Sequence, residues 1–371
     1  MCSSARGIWS NHGAAGKFLV RNATSSGCPM FRPQSLAARE GRPFCGSPAG
    51  TQRAIHRGIG NACPSFEFAG VRQLTTGDAA LVRSTQLRGF YAELVVRRGG
   101  AEDPRIRDAF ACVPREPFAG PGPWLVFGGR SGTRSTGYIQ TPSDDPAFLY
   151  QDTLIALDAA RGINIGEPSL HARCLDALAL QHGERVLHVG AGTGYYTALL
   201  AELVGPTGHV EAYEIDPALA ARAKRNLTNF PTVTLWARSG VADDLPQADA
   251  IYVNAGITQP ERAWLDALRL GGRLLFPLQP EGGFGGMLLV RRPRDGGVVW
   301  PASFVSRAGF IGCHGPQLEG VGQALKTAFA AGGWEAVKSL RFTPDVDRSC
   351  WVTGEGWWLS TDPALEAGRH A

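Results

Sequence analysis

The feature that most constrains the fold is a short apolar strand that runs directly into a glycine-rich turn and then into a helix. Residues 185–189 read R-V-L-H-V, glycines follow at positions 190, 192 and 194, and an apolar helix is predicted through Val204. In an open parallel sheet, ligands bind beyond the carboxyl ends of the strands, and glycine lets the backbone approach them closely. The next helix begins with unpaired N–H groups, which favour a polar or anionic ligand. The pattern therefore predicts a ligand site at residues 190–194.

The chain from about residue 169 onward repeats this alternation of strands and helices. Alternating elements are typical of a parallel sheet covered on both faces, so the sequence predicts a doubly wound, mostly parallel α/β sheet. Two later segments, 285–292 and 303–311, predict strands of an antiparallel edge. The predicted core strands are 185–189, 208–215, 232–237, 249–254 and 272–276, and the predicted core helices are 169–181, 195–204, 217–229 and 260–269.

Composition and periodicity divide the chain into four regions. The first is rich in Gly, Ser, Ala, Arg and Pro and shows no sustained helical or strand period, which predicts a disordered extension. The second is helical and loop-rich and precedes the core, and the fourth is a C-terminal extension beyond it. The predicted boundaries are 1–76 for the N-terminal extension, 77–168 for the helical and loop region, 169–312 for the core and 313–371 for the C-terminal extension.

The two regions that flank the core carry their own predicted elements. Residues 78–98 and 104–112 have the apolar spacing of helices. The Gly- and Pro-rich residues 119–146 predict a long loop, of the kind that forms lids and substrate-binding segments. The C-terminal extension predicts one helix near 320–340, and its tryptophans at 351, 357 and 358 predict packing of the extension onto the core.

The charge and cysteine distributions argue against several classes of function. The first 70 residues carry eight basic and two acidic residues, whereas the remainder carries 29 basic and 31 acidic ones. The body of the protein is therefore near neutral, which argues against nucleic-acid binding. The eight cysteines include no C-x-x-C pair, so no metal or redox site is predicted and a reducing, cytoplasmic compartment is expected. The sequence has no run of about 18 apolar residues, so no membrane span is predicted.

The spacing of the glycines separates two kinds of cofactor. A dinucleotide fingerprint is G-x-G-x-x-G, but the sixth position counted from Gly190 or from Gly192 is not glycine. The G-x-G-x-G form resembles the first motif of Rossmann-like methyltransferases, which favours S-adenosylmethionine over NAD. Glu214 lies 20 residues beyond Gly194, at the end of the second predicted strand, where a carboxylate can bind a ribose diol. The predicted cofactor-binding residues are Gly190, Ala191, Gly192, Thr193, Gly194, Glu214, Ile215, Ser239, Gly240 and Asn254.

Several segments, in matching order, resemble the protein-L-isoaspartate O-methyltransferase family. V-P-R-E-P-F at 113–118 is similar to that family's V-P-R-E-x-F segment, and residues 150–152 match its Y-x-D. Residues 163–168 align with a family loop that contains S-x-P. Two further segments match: Glu214 with its neighbours at 215–216, and G-G-R-L-L-F-P at 271–277. The likeness covers about residues 80–312. It implies a Rossmann-like core, S-adenosylmethionine as cofactor and methylation of a protein or peptide carboxylate.

Three places depart from the family pattern. Gly166 stands where the family has the hydroxyl residue of S-x-P. Arg238-Ser239-Gly240 stands in place of an acidic G-D-G, whose Asp contacts the adenine amino group in the family. His188 replaces the usual acid within the first core strand, and it is predicted to be a satisfied structural histidine. A cofactor-binding homologue without isoaspartyl repair activity therefore stays an alternative.

The acceptor end of the site is predicted around the S-x-P-like loop. Methyl transfer from a sulfonium needs alignment and exclusion of water more than covalent help, and a carboxylate acceptor is already ionised at pH 7. The predicted catalytic residues are Asp152, Glu167 and Ser169, with Asp152 and Ser169 contacting the substrate and His171 nearby. An equal alternative is that Ser169 N-caps the helix 169–181. A methyltransferase of this fold with a small-molecule acceptor also remains open.

Overall fold

A computed structural model describes residues 76–128, 137–281, 283–313 and 321–364. The predicted N-terminal extension lies outside these ranges apart from its last residue, Thr76. None of the helices within the described ranges combines the length and the apolar composition that crossing a bilayer requires.

The described ranges contain eight α-helices and fourteen β-strands, and the predicted order of core strands and helices is confirmed. The helices are α1 (Thr76–Gly99), α2 (Pro104–Cys112), α3 (Glu116–Ala119), α4 (Pro168–Leu178), α5 (Tyr195–Val204), α6 (Pro217–Asn226), α7 (Arg262–Ala267) and α8 (Val321–Ala331). The strands are β1 (Leu125–Phe127), β2 (Tyr138–Gln140), β3 (Ile155–Asp158), β4 (Ile163–Ile165), β5 (Arg185–Val189), β6 (His209–Tyr213), β7 (Val233–Trp236), β8 (Ala248–Val253), β9 (Leu268–Leu278), β10 (Gly285–Arg291), β11 (Val299–Ala308), β12 (Ser339–Arg341), β13 (Cys350–Gly354) and β14 (Trp357–Ser360).

Ten strands form one large sheet in the order β13-β14-β12-β11-β10-β9-β8-β5-β6-β7. The five strands from β9 to β7 run parallel, which confirms the predicted parallel core. Successive side chains of β5 point to opposite faces of the sheet. Val186 packs in the apolar layer with α4 and α5, whereas Leu187 and Val189 pack in the layer with α7. Helices therefore cover both faces of the parallel strands, and the doubly wound class is confirmed.

The C-terminal extension continues the same sheet. β10 and β11 pair antiparallel with their neighbours, as predicted, and β12, β14 and β13 add three further antiparallel strands. Trp351 packs edge-on against Phe304 of β11 and Phe329 of α8, with ring centroids 5.5 and 5.0 Å apart. The predicted packing of the tryptophans onto the core is confirmed, whereas α8 is shorter than the predicted helix and ends at Ala331.

The region before the core holds a small sheet that the sequence does not predict. The long loop predicted at 119–146 is wrong in part, because β1 and β2 lie within it. Together with β3 and β4 they form a four-stranded antiparallel sheet in the order β2-β1-β3-β4. Each strand has only three or four residues. Strands this short cannot be told from loops by a period of two in the sequence.

A buried arginine joins the segment at 113–118 to the segment at 149–153. Arg115 is fully buried. Its guanidinium donates to three backbone carbonyl oxygens, those of Leu149 at 2.6 Å, Gln151 at 3.0 Å and Thr153 at 3.2 Å. The hydroxyl of Tyr150, in the segment at 149–153, donates to Glu116 Oε2 in the segment at 113–118, at 2.5 Å. These contacts fix the backbone on both sides of Asp152.

Replacing Arg115 with methionine is expected to lower the free energy of unfolding by about 2–4 kcal/mol, because three buried carbonyl groups lose their donor. Urea unfolding followed by circular dichroism measures the change. Arg107→Met is the matched control: Arg107 lies on the exposed side of α2 and pairs there with Asp108, so its loss should change stability little. Equal stability of the two variants would contradict the structural role of Arg115.

Candidate cofactor and acceptor site

The strand order of the large sheet reverses at β5, which lies between β6 and β8. At such a switch point the loops after two neighbouring strands diverge and leave a crevice for a ligand. Gly190 follows β5 and Asn254 follows β8, and the Asn254 N–H donates to the Val189 carbonyl at 2.8 Å. A Cβ on Gly190, whose φ is +80°, would lie 3.3 Å from the Asn254 backbone. Glycine therefore lets the two loops approach each other at the base of the crevice.

The glycine turn presents an open backbone on one side. Gly192 and Gly194 have φ values of +58° and +97°, which residues with a side chain rarely adopt. A Cβ on Gly194 would lie 2.9 Å from Leu227, so this glycine allows α5 to pack against the end of α6. A Cβ on Gly192 would meet nothing closer than Leu157 Cδ1 at 4.0 Å. The turn at Gly192 therefore faces space that a ligand can occupy.

Glu214 follows β6 and is buried against this turn. Its Oε2 accepts a hydrogen bond from the Gly192 N–H at 2.7 Å, and its Oε1 accepts one from the Asp216 N–H at 2.8 Å. Burial raises the pKa of Glu214, while the two backbone donors act in the opposite direction. Each carboxylate oxygen keeps a second lone pair, so both can accept from ribose hydroxyls. The neighbouring Ile215 is 48% exposed and offers an apolar surface beside the carboxylate.

Ser239 and Gly240 stand where the similar family has the acidic G-D-G turn, and they form a compact turn here. Ser239 Oγ accepts from the Val241 N–H at 3.1 Å. A Cβ on Gly240 would lie 2.8 Å from the Val189 side chain, and the Gly240 carbonyl accepts from Trp264 Nε1 at 2.7 Å. The structure therefore places these two residues beside the end of β5, with the serine hydroxyl already engaged in the turn.

A cavity of about 990 Å³ brings together residues from the predicted cofactor and acceptor sets. A volume of this size suits a cofactor together with part of a second molecule. Its lining includes the predicted cofactor-binding residues Gly190, Ala191, Gly192, Thr193 and Asn254 and the predicted catalytic residues Asp152, Glu167 and Ser169. The remaining predicted cofactor-binding residues, Gly194, Glu214, Ile215, Ser239 and Gly240, lie outside that lining.

Two buried polar atoms of this lining, Thr193 Oγ1 and Asn254 Oδ1, have no hydrogen-bond partner among the described residues. An unpaired buried polar atom costs about 1–3 kcal/mol, so a ligand that pairs with it gains affinity. The Asn254 amide is oriented by His188, because its Nδ2 donates to His188 Nε2 at 2.8 Å while His188 Nδ1 lies 2.8 Å from Thr197 Oγ1. Burial lowers the pKa of His188 to about 3, so the ring is neutral. The prediction that His188 is a satisfied structural histidine is confirmed.

The three predicted catalytic residues meet at the start of α4. Asp152 Oδ1 accepts from the Ser169 N–H at 2.8 Å, and Asp152 Oδ2 lies 3.0 Å from Nε of Arg98. Glu167 is the N-cap residue of α4, and Pro168 fills its first helical position. The alternative that Ser169 N-caps this helix is therefore wrong. Proline, with its fixed φ, starts the helix before Ser169, and the carboxylate of Asp152 accepts from the Ser169 N–H instead.

His171, to which the sequence analysis assigns no function, lines the same cavity. Its ring stacks on Tyr196 with centroids 3.5 Å apart, and its Nδ1 lies 2.6 Å from the hydroxyl of Tyr252. His171 Nε2 is buried and has no hydrogen-bond partner in the described part of the chain. Burial lowers the pKa of the imidazole well below its usual value, so the ring is neutral. The sequence feature that could have pointed to His171 is its position one turn after the S-x-P-like loop.

The sheet, the glycine turn held by Glu214 and the unpaired atoms of Thr193 and Asn254 fit a cofactor that has a ribose and a polar tail. S-adenosylmethionine has both, in its adenosyl and amino-acid parts. Within the described residues, no three His, Cys, Asp or Glu side chains are grouped as a metal site requires. The fold and the site define an S-adenosylmethionine-dependent methyltransferase with a Rossmann-like core.

Comparison with known proteins identifies the family. A family model described as Protein-L-isoaspartate(D-aspartate) O-methyltransferase (PCMT) matches residues 138–304. A protein-L-isoaspartate O-methyltransferase of Ignicoccus hospitalis is 35% identical over 171 residues, which cover 44% of this chain and 80% of the relative. One of Aeropyrum pernix is 33% identical over 219 residues, which cover 58% of this chain and 72% of the relative. The chain belongs to the protein-L-isoaspartate O-methyltransferase family.

A solved structure agrees with this assignment at the level of the fold. A protein-L-isoaspartate O-methyltransferase aligns with a TM-score of 0.50 and 23% sequence identity. The alignment covers 66% of this chain and 69% of that one. The likeness supports the Rossmann-like methyltransferase fold.

Glu214→Ala is expected to weaken binding of S-adenosylhomocysteine, the demethylated cofactor, roughly 10- to 150-fold, because hydrogen bonds to a charged group are lost. Isothermal titration calorimetry measures the dissociation constant. Glu202→Ala is the matched control, since Glu202 is an exposed carboxylate on α5, the helix that follows the glycine turn. Affinity that is the same in both variants would refute the role of Glu214 in binding the ribose.

Proposed function

We propose that this chain transfers a methyl group from S-adenosylmethionine to a carboxylate of a protein or peptide, with an isoaspartyl side chain as the first acceptor to test. One observation carries the proposal: a cavity joins the glycine turn at residues 190–193 to Asp152, Glu167 and Ser169 at the start of α4. A cofactor at the turn and an acceptor at α4 would share one space. The matching relatives are named for the isoaspartyl acceptor. The cysteine spacing favours a cytoplasmic setting.

The charge of the cavity wall favours an anionic acceptor. Three arginines, Arg98, Arg173 and Arg307, belong to its lining. The lining also holds the carboxyl groups of Asp152 and Glu167. Asp152 is paired with Arg98. Burial, together with the nearby charge of Asp152, raises the pKa of Glu167. The three guanidinium groups outnumber the two carboxyl groups, as recognition of a carboxylate substrate requires.

The proposed reaction requires the chain to align the acceptor and exclude water, since S-adenosylmethionine supplies a methyl group that is already electrophilic. An acceptor carboxylate is ionised at neutral pH and needs no general base. The imidazoles of His171 and His188 are held neutral by burial, which lowers the pKa of each. We propose that Asp152, Glu167 and Ser169 border the acceptor, with Asp152 acting as a positioning residue for the start of α4.

Incubation with methyl-labelled S-adenosylmethionine and an isoaspartyl peptide is expected to place base-labile label in the peptide, because a carboxyl methyl ester hydrolyses in base. The label released by base treatment is counted per mole of peptide. The same peptide with an ordinary aspartyl residue is the matched control and should take up little label. Tight binding of S-adenosylhomocysteine without label in the isoaspartyl peptide would contradict the proposed acceptor.

A further inference from the structure

The imidazole of His171 occupies the space into which any side chain at position 166 would project. A Cβ built on Gly166 would lie 2.1 Å from His171 Nε2, 2.8 Å from its Cδ2 and 3.2 Å from its Cε1. Contacts under 3.0 Å are not tolerated by a real Cβ. Gly166 and His171 are therefore a matched pair: the ring can hold its place only because residue 166 has no side chain.

The ring is held in this place from several sides. It lies within α4, is 1% exposed, and stacks on Tyr196 with an interplanar angle of 13°. The Tyr196 hydroxyl in turn donates to the Gly166 carbonyl at 3.0 Å. The hydroxyl of Tyr252, a residue of β8, lies 2.6 Å from His171 Nδ1. Since both neighbours of the ring are fixed, Nε2 has a defined position beside the backbone of Gly166.

The direction of the hydrogen bond between Tyr252 and His171 decides whether the unpaired nitrogen of this ring is a donor. Burial raises the pKa of the Tyr252 hydroxyl well above its usual value, so the hydroxyl keeps its proton. We assign that proton to the hydrogen bond with His171 Nδ1, at 2.6 Å. A neutral imidazole that accepts at Nδ1 carries its hydrogen on Nε2. Nε2 has no partner among the described residues, and leaving such a donor buried and unpaired is costly. An oxygen of a bound molecule is the partner that would remove this cost.

We propose that His171 takes the place of the missing hydroxyl at position 166, and that its Nε2–H donates a hydrogen bond to the acceptor carboxylate. The inference rests on the proposed methylation of a carboxylate, and it names the residue that contacts the acceptor. The departure at Gly166 is then a compensated change. The polar group has moved from the S-x-P-like loop to the facing side of α4.

Two amide variants separate the polar contact from packing. The amide of His171→Asn reaches only the place of Nδ1, whereas that of His171→Gln reaches the place of Nε2. His171→Asn is expected to lower kcat/KM for the isoaspartyl peptide roughly 10- to 150-fold, mainly through KM, because a hydrogen bond to a charged group is lost. His171→Gln should retain activity within about tenfold of the wild type. Calorimetry with S-adenosylhomocysteine checks that both variants still bind cofactor.

The reciprocal exchange tests the matched pair. Gly166→Ser alone should abolish methyl transfer, because its Cβ collides with His171. Gly166→Ser combined with His171→Ala restores a hydroxyl at 166 and removes the obstructing ring, so it should recover activity relative to either single variant. Wild-type kinetics in His171→Asn, or equal losses in His171→Asn and His171→Gln without recovery in the double variant, would overturn the proposal and leave His171 a packing residue.

A spectroscopic readout tests the proposal without reference to turnover. In protein labelled with ¹⁵N-histidine, the imidazole nitrogen shifts of His171 should report the Nε2–H tautomer. The Nδ1–H tautomer would overturn the proposed donor whatever the acceptor. Absence of methylation of the isoaspartyl peptide by the wild-type chain, with the Nε2–H tautomer present, would instead count against the proposed acceptor and leave the donor in place.

Discussion

The structure depends on one pairing, in which the carboxylate after the second parallel strand holds the backbone of the turn after the first. Glu214 accepts from the Gly192 N–H, and such charge-assisted hydrogen bonds are stronger than neutral ones. Two residues on, Asp216 caps α6 by accepting from the N–H groups of Ala218 and Leu219. One short stretch of chain therefore fixes the strand end, the glycine turn and the next helix together. The cofactor surface follows from the topology of the sheet at its switch point.

Around this pairing, the site is built from neutral polar side chains whose orientation comes from burial. His188 orients the amide of Asn254, and Tyr252 orients the imidazole of His171. The low dielectric of the interior keeps the histidines uncharged. Each network ends in one polar atom that has no partner in the described part of the chain, Asn254 Oδ1 in one case and His171 Nε2 in the other. The cavity therefore offers directed, uncharged hydrogen-bonding groups beside the arginines of its wall.

The parallel core and the cofactor turn could be predicted from the sequence because their signals are local: an apolar run, glycine spacing and an acid at a strand end. The sheet of β1–β4 could not, since its strands are too short for a readable period. Neither could the hydrogen bond from the Ser169 N–H to Asp152, because Asp152 precedes Ser169 by 17 residues and reaches the start of α4 only through the tertiary fold. The departure at Gly166 is visible in the sequence, but its reason, the ring of His171, appears only in three dimensions.

We expect an adenosyl group to lie at the carboxyl edge of the parallel strands with its ribose held by Glu214. A crystal structure of the chain with S-adenosylhomocysteine tests it most directly. Both ribose hydroxyls are expected within hydrogen-bond distance of the Glu214 carboxylate, with the amino-acid end of the ligand paired to Asn254 or Thr193. A ligand lodged away from the glycine turn, or a ribose that does not touch Glu214, would contradict it.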